Sequence, residues 1–156
     1  MQPVAESLRL PAAYGTPSEL LTWADVEARL SAALHYWVTS VREDGRPHAV
    51  PVEGLWAAGR LVFGGDPATV HERNIRRSPA VSVHLADAEA VTILEGLAER
   101  HTPTALQAHD LAGAAREKYG YSPPTSSYRR GVWQVSPRVV LAWTALHRDA
   151  TRFRFD

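Results

Sequence analysis

The residues best placed to do chemistry lie between Phe63 and Ile75, in the run Phe-Gly-Gly-Asp-Pro-Ala-Thr-Val-His-Glu-Arg-Asn-Ile. Leu61, Val62 and Phe63 read as the end of an apolar strand. Gly64 and Gly65 break it, Asp66 and Pro67 set a turn, and from Thr69 the spacing turns helical until Ser78-Pro79 stops it. A strand that feeds a glycine turn and a helix start outlines an anion site, because free backbone N–H groups and the positive end of the helix dipole converge on one point. Thr69, His71 and Arg73 would add a hydroxyl and two basic groups there. The same residues also fit an ordinary helix start capped by Asp66 or Thr69. The remainder of the chain favours the anion site.

Composition removes several other chemistries. There is no cysteine, so disulfides, thiolate catalysis, iron–sulfur clusters and cysteine-ligated zinc are excluded together. Of the seven histidines, His101 and His109 are near one another, but no spacing supplies three ligands on one face, and no metal site is expected. Ser40, Ser126 and Ser127 lack any nucleophile motif, and nothing ties them to a base. Net charge is zero, so no global field favours nucleic acid. No apolar run is long enough to span a bilayer and the N-terminus has no signal pattern, which predicts a cytoplasmic protein without membrane contact. Lys118 is the single lysine in an arginine-rich chain. Arginines 73, 76 and 77, with 129 and 130, form local patches that read as solvated faces.

The elements that must position the Phe63–Ile75 stretch can be read in order. Residues 1–17, with Pro3, Pro11 and Pro17, read as an arm that is loose or wraps a partner subunit. Thr22 or Ser18 caps a short helix with Leu20, Leu21, Val26 and Leu30 as its apolar stripe. From Tyr36 the period becomes two, with Tyr36, Val38 and Ser40 facing one way and Trp37, Thr39 and Val41 the other. Asp44-Gly45 is a hairpin signal, since it tolerates the positive φ of tight hairpin turns. The return strand, His48 to Trp56, carries Pro51 and follows Pro47, which marks it as an edge or a bulged strand.

Beyond the helix predicted over 69–77, Val81–Leu85 alternates and Val91–Ala98 is apolar on both faces, with a bulge expected at Glu95-Gly96. Thr104 opens a helix whose predicted buried side is Leu106, Leu111, Ala112, Ala115 and Tyr119, and Gly120 stops it. Residues 121–130 read as a loop. Val132–Val135 and Val139–Trp143 read as two strands separated by Ser136-Pro137-Arg138. Residues 147–156 form a tail able to add an edge pairing. The fold class expected for residues 18–146 is therefore mainly β, a small antiparallel β-barrel with peripheral helices.

In this order the pieces resemble the pyridoxamine 5′-phosphate oxidase-like flavoproteins, the split β-barrel flavin-binding superfamily, and within it the flavin/deazaflavin (F420) oxidoreductase B group. The resemblance rests on Trp37-Val38-Thr39-Ser40 leading to Asp44-Gly45-Arg46-Pro47-His48 and Val50-Pro51-Val52, and on Gly54-Leu55-Trp56 with Leu61-Val62-Phe63. It rests also on Asp66-Pro67-x-Thr69-x-His71-x-Arg73-Asn74-Ile75, on Ile93-Leu94-Glu95-Gly96, and on Pro137-Arg138-Val139 with Ala142-Trp143. It implies a cytoplasmic homodimer with two sites for FMN or F420 at the subunit interface, acting as an oxidoreductase on a small organic substrate, with no catalytic acid or base to name. A non-catalytic flavin- or haem-binding carrier or sensor dimer is the alternative it leaves open.

By the same resemblance His48, Ala49, Val50 and Pro51 line the flavin ring, Phe63, Gly64 and Gly65 pass beside the ribityl chain, and Thr69, Val70 and His71 hold the phosphate with Arg73 adjacent. Trp133 and Arg138 would reach the site from the second subunit, Trp56 would stand near the flat ligand, and Arg76, Arg77 or Arg130 would attract the polyglutamate tail of F420. Two positions depart from the family. His71 stands where relatives carry Lys or Arg, which makes its contact with the phosphate depend on imidazolium. Glu53 stands where a bulky apolar residue is usual.

Overall fold

A computed structural model describes residues 2–156. Among the described residues nine strands make one antiparallel sheet, numbered along the chain: β1 Val4–Ser7, β2 Tyr36–Val41, β3 Pro47–Val52, β4 Leu55–Ala57, β5 Arg60–Phe63, β6 Ala80–His84, β7 Val91–His101, β8 Val132–Trp143 and β9 Thr151–Arg154. The main path runs β1-β9-β8-β7-β6-β2-β3, and the β4–β5 hairpin joins it through β5 on β8. The helices α1 Trp23–Ala32, α2 Val70–Arg77, α3 Ala105–Tyr119, α4 Thr125–Arg129 and α5 Leu146–Asp149 lie around it. Among the described residues no helix is long and apolar enough to cross a membrane.

Local rules account for most of these elements. The Thr22 hydroxyl accepts from the Asp25 N–H, so Thr22, not Ser18, caps α1. Thr104 and Gln107 form a reciprocal capping box at the start of α3, and Gly120 in the left-handed region ends it. In β2 the side chains of Tyr36, Val38 and Ser40 are buried, while Trp37 and Thr39 are half-buried and Val41 is exposed on the other face. β3 is the last strand of the path, and Pro47 and Pro51 lie in it because an edge tolerates a residue with no N–H to donate. The core gathers Trp23, Val26 and Leu30 of α1, Ile75 of α2 and the inward residues of the sheet, with Phe153 of β9 fully buried among them.

The structure changes five of the expectations. Residues 4–7 are not loose: they pair with Arg154–Thr151, and β9 pairs in turn with β8, so the two ends of the chain close one edge together. The two strands expected near the end are one strand, β8, twelve residues long. Ser136-Pro137-Arg138 fits inside it because the register against β7 shifts at Glu95/Gly96. A Cβ on Gly96 would stand 2.3 Å from the Ser136 carbonyl oxygen, so only glycine lets the strands pass there. The expected return strand over 48–56 is divided by Glu53-Gly54 into β3 and β4. On α3 the buried side is Ala108, Ala112 and Ala115, whereas Leu106 is exposed: the helix sits close on small side chains rather than on its leucines. Residues 125–129, read as loop, form α4 behind Pro124.

One outward row of the sheet follows from the registers. Trp37 pairs with His84, His84 with Ile93, Ile93 with Leu141, Leu141 with Arg152, and Arg152 with Glu6. All six side chains are half-buried. Trp37 and His84 stack with their ring centroids 6.1 Å apart and planes 3° from parallel.

Candidate functional site

β5 ends at Phe63, and the exposed pair Gly64-Gly65 turns the chain toward α2. The turn is closed by its own groups. The Ala68 N–H donates to the Asp66 carboxylate (2.8 Å), and the N–H and hydroxyl of Thr69 both donate to the Asp66 carbonyl (2.9 and 2.8 Å). Thr69 is the N-cap of α2, yet its side chain caps nothing. The ordinary reading of a helix start capped by Asp66 or Thr69 is thereby overturned, because both side chains are already committed within the turn. The first-turn N–H groups of α2 therefore have no side-chain cap, which is the condition for an anion there.

Behind this turn lie two buried ionisable groups. His71 is 8% exposed and its Nε2 has no hydrogen-bond partner. Glu72 is fully buried, and neither carboxylate oxygen accepts a hydrogen bond. A Cβ on Gly65 would stand 3.1 Å from His71 Nε2 and 3.3 Å from Glu72 Oε1, so the glycine holds open the space over both. Burial pushes the His71 pKa down; the neighbouring Glu72 carboxylate pulls it up and His48 lowers it further, with a downward balance. The imidazole is therefore held toward its neutral form, and the imidazolium expected from the sequence is disfavoured by desolvation.

Glu72 is flanked by two guanidinium groups, Arg76 at 3.6 Å and Arg100 at 3.7 Å. Arg100, from the end of β7, lies over the Trp133 ring at 5.4 Å and donates to the Arg130 carbonyl at 3.3 Å. Gly131, with φ of 114°, lets it through: a Cβ there would stand 2.7 Å from Arg100 Nε.

His71, Arg100 and Gly131 line a cleft of about 1040 Å³ between the β5–α2 turn and the α3–α4 segment. Val52, Leu55, Val62 and Phe63 give it an apolar floor; Tyr119, Tyr121 and Tyr128 form the opposite wall. Glu53 stands at its mouth and accepts a hydrogen bond from the Tyr121 hydroxyl. That wall is tied to the barrel by Lys118, whose ammonium donates to the Tyr36 hydroxyl and the Gly54 carbonyl, both at 3.0 Å. The Tyr36 hydroxyl donates onward to the Leu30 carbonyl at 2.6 Å. Burial pushes the Lys118 pKa down and the Tyr36 pKa up.

The expected site residues divide. Phe63, Gly64, Gly65 and His71 meet at the cleft. Thr69 and Val70 stand at the α2 start beside it, with the Thr69 hydroxyl already spent. Arg73 folds back onto its own turn, donating to the Ala68 carbonyl at 2.9 Å. His48, Ala49, Val50 and Pro51 lie along edge strand β3, outside the cleft walls, with Ala49 and Pro51 exposed. Trp133 is buried within the chain, opposite Phe63 in the β5–β8 ladder. Arg138 is exposed on a separate concavity with Trp23, Glu27 and Gly59. Trp56 also faces that side, donating to Glu27 at 3.1 Å. Glu72, Arg100, Lys118 and the three tyrosines were not singled out as site residues. The clue available for Arg100 was Gly131, a glycine just before a strand.

The sequence model of the family described as pyridoxamine 5′-phosphate oxidase matches residues 23–144. No curated protein matches the chain. Among solved structures, the conserved hypothetical protein Rv2991 of Mycobacterium tuberculosis is 17% identical, with a TM-score of 0.70 over 87% of this chain and 89% of that one. A protein named F420 reductase is 24% identical, with a TM-score of 0.58 over 73% of this chain and 94% of that one. A haem-binding protein of Mycobacterium smegmatis is 19% identical, with a TM-score of 0.59 over 92% of this chain and 59% of that one. At these identities the likeness is one of fold.

Proposed function

Because the chain belongs to the pyridoxamine 5′-phosphate oxidase family, in the split β-barrel superfamily, we propose that its cleft binds FMN or the deazaflavin F420 and that the protein is an oxidoreductase acting on a small organic substrate. One observation carries this reading. Gly65 keeps open a space over the unpartnered Nε2 of buried His71, at a helix start with no side-chain cap, beside a cleft large enough for a flat cofactor.

When bound, the flavin or deazaflavin supplies the hydride chemistry. The residues of the chain bind and orient it. The first-turn N–H groups of α2 and the His71 imidazole hold the phosphate, and Gly65 lets backbone approach the chain that links phosphate to ring. His48, Ala49, Val50 and Pro51 on edge strand β3 lie outside the cleft walls, so a ring held against their unpaired flank would extend from the phosphate end beyond the cleft. No side chain is assigned as catalytic acid or base.

The homodimer belongs to the same proposal. The row Trp37, His84, Ile93 and Leu141 leaves large side chains half-exposed on one outward face of the sheet, and a second copy would bury it.

A second reading, a haem-binding carrier or sensor, is favoured by His71 itself. An imidazole held neutral, with a free Nε2 beside a cleft, is also in the state that ligates iron. One experiment separates the two: the absorbance spectrum of the protein from its native host, with mass analysis of the released small molecule. The flavin reading predicts FMN or F420, and apo-protein that rebinds it. Release of haem, or failure to bind either flavin, overturns it.

A further inference from the structure

We propose that Arg100 is the residue that selects a phosphorylated over an unphosphorylated ligand in the cleft. The inference rests on the flavin reading above for its main probe, and it adds a residue from another part of the chain to the helix-start site.

Several groups hold Arg100 in place. Its guanidinium lies over the Trp133 ring and passes against Gly131, where no Cβ fits. Glu72 anchors one end at 3.7 Å and the Arg130 carbonyl accepts a bond at 3.3 Å. A guanidinium has five donors in a rigid fork, and one hydrogen bond to a carbonyl leaves most of them for a ligand. The same Glu72 Oε1 that faces Arg100 is 3.3 Å from the vacant Cβ position of Gly65, and His71 Nε2 is 3.1 Å from it. Arg100, His71 and the α2 start therefore converge on one end of the cleft.

Charge points the same way. Glu72 would repel an anion if it stood alone, but two guanidinium groups, Arg76 and Arg100, share its one carboxylate. The cluster is net positive. His71, held toward neutrality, is not the source of that charge. A planar fork fixed in place at a net-positive end recognises phosphate oxygens, and does so at any working pH because arginine does not deprotonate. Gly131 acts through Arg100 as a positioning residue, and a glutamine at position 72 would still offer Arg100 a side-chain oxygen.

The test uses FMN and riboflavin, which differ by the phosphate alone, titrated into apo-protein. Removing Arg100 alone strands a buried carboxylate, so the comparison is between Glu72→Gln and the double variant Glu72→Gln/Arg100→Gln. The expected result is that Glu72→Gln prefers FMN to riboflavin and that the double variant loses at least tenfold of that preference while riboflavin affinity is unchanged. An equal preference in both variants overturns the proposal. If neither flavin binds wild-type protein, the flavin reading fails, and inorganic phosphate becomes the probe. Phosphate should then raise the melting temperature of Glu72→Gln and not of the double variant, and equal responses, or none, overturn the assignment of Arg100.

Discussion

Gly65 and His71 are coupled through an absent atom: a Cβ on Gly65 would stand 3.1 Å from His71 Nε2, closer than side chains normally approach. Its neighbour Gly64 has open space at the same position. The two glycines look equivalent in the sequence and are not equivalent in the fold.

This separates two substitutions. Gly65→Val should abolish or strongly weaken FMN binding, because the new side chain fills the space over His71 and Glu72. Gly64→Val should bind within a few-fold of wild type. Neither glycine has a positive φ, so both variants should fold. Titration of apo-protein with FMN, alongside thermal melts, checks this, and an equal loss in both variants would assign the pair to turn geometry alone.

The pH dependence of stability follows from His71. Its folded pKa is lowered, first by burial, so between that value and the unfolded value near 6.5 the unfolded chain binds more protons than the native one. Stability should be full above the unfolded value and should fall as pH drops through it toward the folded pKa. His71→Gln should flatten that decline, as read by denaturant melts from pH 8 down to 5. Unchanged slopes would mean that His71 is already solvated in the native protein.

Glu72 and Arg100 should show strong non-additivity. Arg100→Gln leaves a fully buried carboxylate with Arg76 as its remaining partner at 3.6 Å, and should cost up to about 3 kcal/mol. Adding Glu72→Gln removes the stranded charge and should restore most of that loss. A double-mutant cycle in urea measures the coupling; additive effects would show that the pair does not interact energetically.

The outward row of the sheet gives a test of assembly. Trp37→Asp and Leu141→Arg each place a charge on the half-buried face, at opposite ends of the stretch that runs through His84 and Ile93. If that face joins two copies, both variants should sediment as folded monomers where wild type sediments as a dimer. A monomeric wild type at micromolar concentration would remove the dimer and any site that needs it.

Much of the architecture was decided locally. Thr22, the Thr104–Gln107 capping box, Asp44-Gly45 and Gly120 act within a few residues, so helix starts, the hairpin and the helix stop were legible in the chain. The alternation of Tyr36–Val41 and the prolines of β3 are likewise local, and they carried the strand assignment and its place at an edge. The order of these pieces was enough for the family, and Phe63–Ile75 was enough to locate the helix start at the cleft. What the tertiary structure alone decided depends on partners far apart in sequence. Lys118 meets Gly54, Glu72 meets Arg100, and Val4–Ser7 meets Thr151–Arg154. Those contacts determine which buried charges are paired, where a glycine leaves room and which way an imidazole titrates. A side chain's burial and its counter-ion are properties of the space around it, and that space is assembled by strands and helices that no sequence window contains together.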